Sequence, residues 1–147
     1  MSKRNSEARR WFQQASYDLK AARWNAEGGF YDTACFLGQQ SGEKALKALM
    51  YYCGSRKQAL MTHSLVEMIR QHPPAAEGLP GLIEDARILD LHYIPSRYPN
   101  GLPSGYPHSF YGDETAEHAI ASAQRVLAFV FEFFAARGEV EITREEE

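Results

Sequence analysis

The chain is poor in several features, and each shortage restricts what it can be. Two cysteines in 147 residues are too few for a disulfide-stapled scaffold. Cys35 and Cys53 fall in one stretch of helical spacing, about 27 Å apart at 1.5 Å per residue, whereas bridged cysteines need Cα atoms within about 7 Å. They read as buried free thiols in a reducing compartment. No run approaches the roughly 18 apolar residues of a membrane span, and the opening MSKRNSEARRWFQQ lacks the apolar stretch of a secretory signal. A cytoplasmic location is the expectation, with no membrane contact. Gly-rich phosphate loops of the Walker or Rossmann type are missing, as is a Gly-x-Ser-x-Gly elbow, so ATP hydrolysis and esterase chemistry find no support. The five histidines, His63, His72, His92, His108 and His118, form no HxH, HExxH or HxxE spacing. Neither a metal site nor a cofactor is expected.

A surplus of positive charge is lacking too. The formal charge is −3, and the stretch Gly138 to Glu147 holds Glu139, Glu141, Glu145, Glu146 and Glu147 against Arg144, leaving 15 basic and 14 acidic groups elsewhere. Long nucleic acid bound through its backbone usually faces a clearly basic patch, and composition alone shows none. The acidic stretch 138–147 reads as a frayed, solvated tail to a single domain spanning 1–137.

What the chain does have is helical periodicity. Trp11, Ala15, Leu19, Ala22 and Ala26 follow steps of three and four, predicting a helix from about Ser6 to the Gly28-Gly29 break. A second runs from about Phe30 to Cys53 and stops at Gly54, forming an antiparallel hairpin with the first. Ser64 and Glu67 fit a capping box ahead of a short third helix. A fourth covers roughly Pro80 to His92, and a last one runs from Asp113 to about Arg137. No alternating strand-like run and no internal repeat is present. The fold class is all-α: an antiparallel up-and-down bundle of four to five helices, with a long loop before the last helix. Prolines 95, 99, 103 and 107 with glycines 101, 105 and 112 break regular structure in that loop, and a connection of this length inside a compact domain is usually functional or mobile.

On the second helix, Ala34, Cys35, Gly38, Ser41, Gly42, Ala45 and Ala48 share a small-residue face, as a central helix needs for close approach. The opposite strip carries Gln39, Gln40, Glu43, Lys44, Lys47 and Tyr51, with Glu43 and Lys47 spaced for an i,i+4 pair; solvation of the whole strip is the simplest reading. The last helix, VLAFVFEFF over Val126–Phe134, is apolar on nearly all sides and predicts a homodimer through this helix.

Three stretches in order, FLGQQSGEKALKALMYYCG (36–54), THSL (62–65) and LDLHYIPSRYPNG (89–101), resemble the HEPN domain, named for higher eukaryotes and prokaryotes nucleotide-binding, over roughly 7–137. The resemblance implies a dimerising helical bundle that binds a nucleotide or RNA, commonly as the partner of a minimal nucleotidyltransferase in a toxin-antitoxin-like module. In one subset it implies a metal-independent ribonuclease. The nuclease motif places four to six residues, the first of them polar, between an Arg and a His. Here Arg97 matches, but Tyr98 follows it and positions 102–104 are Leu, Pro and Ser; the next histidine is His108. Metal-free cleavage needs proton-transfer groups beside a cation, so a ribonuclease would have to pair Arg97 with His108 or His63. The expected ligand-binding residues are Arg97, Tyr98, Lys44, Lys47, His63 and Tyr51. Competing structural roles are an Arg97–Asp90 ion pair, a core-anchoring Tyr98 and a helix-start hydrogen bond for His63. A ligand-free protein-interaction module is the remaining alternative.

Overall fold

The computed structural model describes residues 1–146. All regular elements among these residues are helical. Two long helices, α1 (Lys3–Glu27) and α2 (Tyr31–Cys53), form the hairpin and pack along their whole length, and the third long helix, α7 (Asp113–Ala135), covers another side of α2. Between them lie α3 (Lys57–Met61), α4 (Leu65–Arg70), α5 (Ile83–Asp90) with a 3-10 turn at Leu79–Leu82, and the single turn α6 (Pro107–Phe110). A short α8 (Val140–Thr143) follows α7. The all-α bundle is therefore as read from the periodicity. No helix among the described residues is long and apolar enough to cross a membrane.

The small-residue face makes α2 central. Ser41 donates to the Ala15 carbonyl of α1 at 2.7 Å, and Gly38 faces the Ala119 backbone of α7. At Gly42 a Cβ would stand 2.8 Å from both Leu65 and Leu89, so α4 and α5 close on that position. Gly54 ends α2 in the left-handed region at φ 68°, where a side chain would be strained. Phe134 of α7 meets Phe12 of α1 and Tyr52 of α2 edge-on, at 6.3 and 5.3 Å between ring centroids.

Several expectations need correction. The strip on α2 is not a solvated face: Gln39, Glu43 and Lys47 are buried, because α1 and the segment before α4 close over them and Glu43 neutralises Lys47. The capping box at α4 is half formed. Ser64 accepts from the Glu67 N–H, but the Ser64 N–H goes to Thr62 Oγ1 while Glu67 pairs with Arg70. The acidic stretch does not fray as expected: Ile142 is fully buried, and Gln13 of α1 donates to the Ile142 and Arg144 carbonyls. On α7 the apolar surplus is mostly absorbed within the chain, since Phe133 meets Tyr52 edge-on and Phe129 faces Gly78; Phe131 stays exposed.

The long loop is organised by turns. The N–H groups of Arg97 and Tyr98 both bond the Ile94 carbonyl, and the Gly101 N–H bonds the Tyr98 carbonyl. Two anchors hold it down: buried Ser96 donates to the His92 carbonyl, and buried His92 has Nδ1 3.1 Å from the Tyr111 hydroxyl.

Candidate functional site

A string of side chains on α2, one helical turn apart, runs from the loop to the far end of α1. At its centre is buried Glu43. It accepts from Lys47 Nζ at 3.1 Å and from Gln39 Nε2 at 3.1 Å, and His63 Nδ1 stands 3.4 Å away. Gln39 Nε2 also reaches the His63 carbonyl at 3.2 Å, and its Oε1 accepts from Gln40 at 2.7 Å. The carboxylate thus has three polar neighbours, as a buried charge requires. Packing explains the arrangement: Thr62 and Ser64 turn the chain so that His63 meets α2 before α4 begins.

The His63 ring, more than half exposed, lies flat on Tyr93 with centroids 5.0 Å apart and planes 16° from parallel. Arg97 rests on the same tyrosine. Its guanidinium carbon is 4.9 Å from the Tyr93 ring, 4.3 Å from Phe36 of α2 and 5.0 Å from Tyr98, while Nε donates to the Tyr93 carbonyl at 2.9 Å. Cation–π contacts of this kind do not use the N–H groups of a guanidinium as hydrogen-bond donors, so its terminal nitrogens can still meet an anion. Among the described residues no carboxylate pairs with Arg97. A shallow depression of about 330 Å³ beside it is lined by Thr62, His63, Ser64, Asp90 and Tyr93.

Of the competing roles, those for Arg97 and Tyr98 do not materialise and that for His63 does. Asp90 is committed to the start of α4, accepting from Ser64 Oγ and from the Leu65 and Val66 N–H groups at 2.7, 2.8 and 3.1 Å, so it holds no ion pair with Arg97. Tyr98 is 49% exposed rather than a core anchor. His63 does hydrogen-bond just before the helix start, through its carbonyl to Gln39 and through its Nδ1 to Glu43.

Among the remaining candidates, His108 joins a different place. It pairs with Asp32 in the first turn of α2 at 2.8 Å, because α6 folds over that end of the helix. Lys44 turns toward α1, where Asp18 holds it at 2.5 Å. Tyr51 stacks on Trp11 of α1, with centroids 5.8 Å apart, and Lys47 Nζ is 5.3 Å from the Trp11 ring. The sequence reading missed Tyr93 and Phe36, which complete the ring collar, and Glu43 as a hub rather than a surface partner. Tyr93 opens the Pro-rich loop, and that position was the available signal.

Burial silences several other titratable groups. Cys35 is pushed up to about 12 by burial, with Asp32 adding to it; this removes it as a nucleophile at neutral pH. Burial also raises Cys53, raises Tyr111 to about 12 with help from Cys35 and Asp32, and lowers His92 to about 4. Among the described residues no group of three or more His, Cys, Asp and Glu side chains is placed to hold a metal ion.

A family model described as the HEPN domain matches residues 8–134. The chain belongs to the HEPN domain family. Among solved structures, it is similar to TT1696 from Thermus thermophilus, at 37% identity over 86% of this chain and 98% of that one, with a TM-score of 0.81. The archaeal HEPN homologue ST0689 shares 36% identity over 86% and 96%, with a TM-score of 0.70. An HEPN domain protein from Thermotoga maritima, tm0613, shares 26% identity over 86% and 98%, with a TM-score of 0.62. No curated protein matches the chain. In this HEPN domain the Arg97 collar, His63 and the Glu43 hub occupy the junction of α2, the start of α4 and the Pro-rich loop.

Proposed function

We propose that this HEPN domain binds a nucleotide or an RNA phosphate at the Arg97 collar, as the partner of a minimal nucleotidyltransferase. The observation that carries the reading is the state of Arg97. A guanidinium set among the Phe36, Tyr93 and Tyr98 rings, fixed through Nε and without a carboxylate partner among the described residues, keeps its terminal N–H groups for the bidentate capture that phosphate favours. The exposed Tyr98 ring offers a stacking surface for a base. Lys47 supports the site indirectly, by holding Glu43 beneath His63. Calorimetric titration of short RNA and of nucleoside phosphates tests this: Arg97→Ala and Tyr98→Ala, both changes in the loop, are expected to weaken binding. Unchanged affinity in both variants places the ligand elsewhere.

One observation favours a second reading. His63 and Arg97 rest on one ring, and Glu43 stands behind the imidazole, an arrangement that supports metal-independent RNA cleavage by His63 rather than His108. It predicts cutting in EDTA to a 2′,3′-cyclic phosphate, lost in His63→Ala. For self-association, the reading keeps the homodimer through α7, supported by exposed Phe131 flanked by exposed Ala128 and Ala135.

A further inference from the structure

At the other end of the α2 string lies a groove of about 550 Å³ between α1 and α2 that the Arg97 collar does not touch. Its floor is the Trp11–Tyr51 ledge, with Tyr17 beside it; of its cations, Arg10 pairs with Glu7 of the same groove and Lys44 with Asp18, which leaves Arg9 as the one that faces the acidic segment. The chain's own acidic segment already lies against it. Arg9 donates to the Glu141 carbonyl and pairs with Glu146 at 3.5 Å, and Glu145 reaches Lys20 at 3.4 Å. Carboxylates therefore sit along the rim of a groove whose floor is aromatic. Stacked rings flanked by cations suit a chain that alternates planar bases with anions. Glu145 and Glu146, at least two-thirds exposed, are held by single rim ion pairs, which are weak enough to be exchanged.

We propose that the Trp11–Tyr51 groove is a second subsite for single-stranded RNA, and that the 139–146 segment competes for it by presenting carboxylates where RNA would present phosphates. For its ligand class the proposal rests on the phosphate-binding reading of the Arg97 collar. Phe36 and Tyr51 are about 22 Å apart along α2 at 1.5 Å per residue, so one strand spanning both ends would contact both subsites. Lys47, between Glu43 and the Trp11 ring, joins the two.

The test uses the full chain and a short fluorescein-labelled oligouridylate, read by anisotropy. Glu145→Gln with Glu146→Gln is expected to tighten binding about threefold or more, from the loss of two rim ion pairs, and the gain shrinks as salt rises from about 50 to about 200 mM. A control pair outside the groove, Glu77→Gln with Glu117→Gln, changes net charge equally and is expected to leave affinity nearly unchanged. In a Trp24→Phe background, leaving Trp11 as the remaining tryptophan, the oligonucleotide is expected to quench the fluorescence. No tightening, equal tightening by the control pair, or no quenching overturns the proposal. Repeating the titration with Arg97→Ala separates the two ideas. A gain from the Gln pair that persists there while Arg97→Ala itself changes nothing keeps the groove and rejects the collar. Loss of binding in Arg97→Ala with no effect of the Gln pair does the reverse. No binding by any variant rejects both.

Discussion

The Glu43–Lys47 pair offers the sharpest test of how α2 is built. Both side chains are at most 5% exposed and meet at 3.1 Å, where the direct attraction is about 5 kcal/mol at an effective dielectric of about 20. Desolvation of the two ions costs several kcal/mol each and offsets that attraction in full. The pair is therefore close to neutral for stability as a whole, yet either partner alone is expensive. Glu43→Gln strands a buried ammonium and is expected to cost about 3 to 5 kcal/mol. Lys47→Met strands a carboxylate that keeps Gln39 as a donor, so about 2 to 3 kcal/mol is expected, the worth of a lost charged hydrogen bond. The double variant leaves a neutral amide beside Gln39 and is expected within about 1 kcal/mol of wild type. Urea unfolding followed by circular dichroism reads all three, and the coupling from the cycle is at least about 3 kcal/mol. Single-variant losses under about 1 kcal/mol, or a double variant that simply adds the two losses, would refute the buried-pair reasoning.

Further expectations concern pH, packing and association. His92 is held near 4 by burial, below its ordinary 6.5; below pH 6.5 the unfolded chain takes up a proton that the folded chain refuses. Stability is then full above about pH 6.5 and falls toward pH 4 by roughly 2 to 3 kcal/mol, a slope that His92→Gln is expected to flatten in urea melts at stepped pH. Gly42→Ala drives a Cβ to 2.8 Å from Leu65 and Leu89 and is expected to cost about 1 to 3 kcal/mol by overpacking, visible as a lower urea midpoint. Phe131→Asp places a charge on the exposed strip of α7 and is expected to shift sedimentation from dimer to monomer with the urea midpoint little changed; an unaltered dimer locates the interface elsewhere.

Legibility in the sequence depended on whether a feature was local. The hairpin, the stop at Gly54 and the central role of α2 follow from spacing and from small residues that a neighbour must approach, and the structure shows each of them. The polar strip was misread because periodicity sorts residues by type and is blind to mutual neutralisation: Glu43 and Lys47 look solvated until paired under a covering segment. Ile142 among glutamates gives a weak apolar signal, so the docking of α8 was hidden. Arg97 was recognisable as a cation in a Pro-rich loop, but its collar joins positions 36, 93 and 98, a contact set between distant segments. Likewise, whether His63 or His108 approaches Arg97 depends on the path of the 93–112 loop, which turn chemistry alone does not determine.

End-labelled single-stranded RNA incubated in EDTA with the wild-type chain and with Arg97→Ala, and resolved on native and denaturing gels, tests the central claim most directly. The account predicts that the wild type retards intact RNA and that Arg97→Ala retards it markedly less. Equal retardation by both chains, or none by either, would contradict a phosphate site at Arg97, and cleavage by the wild type alone would replace binding with the His63 ribonuclease reading.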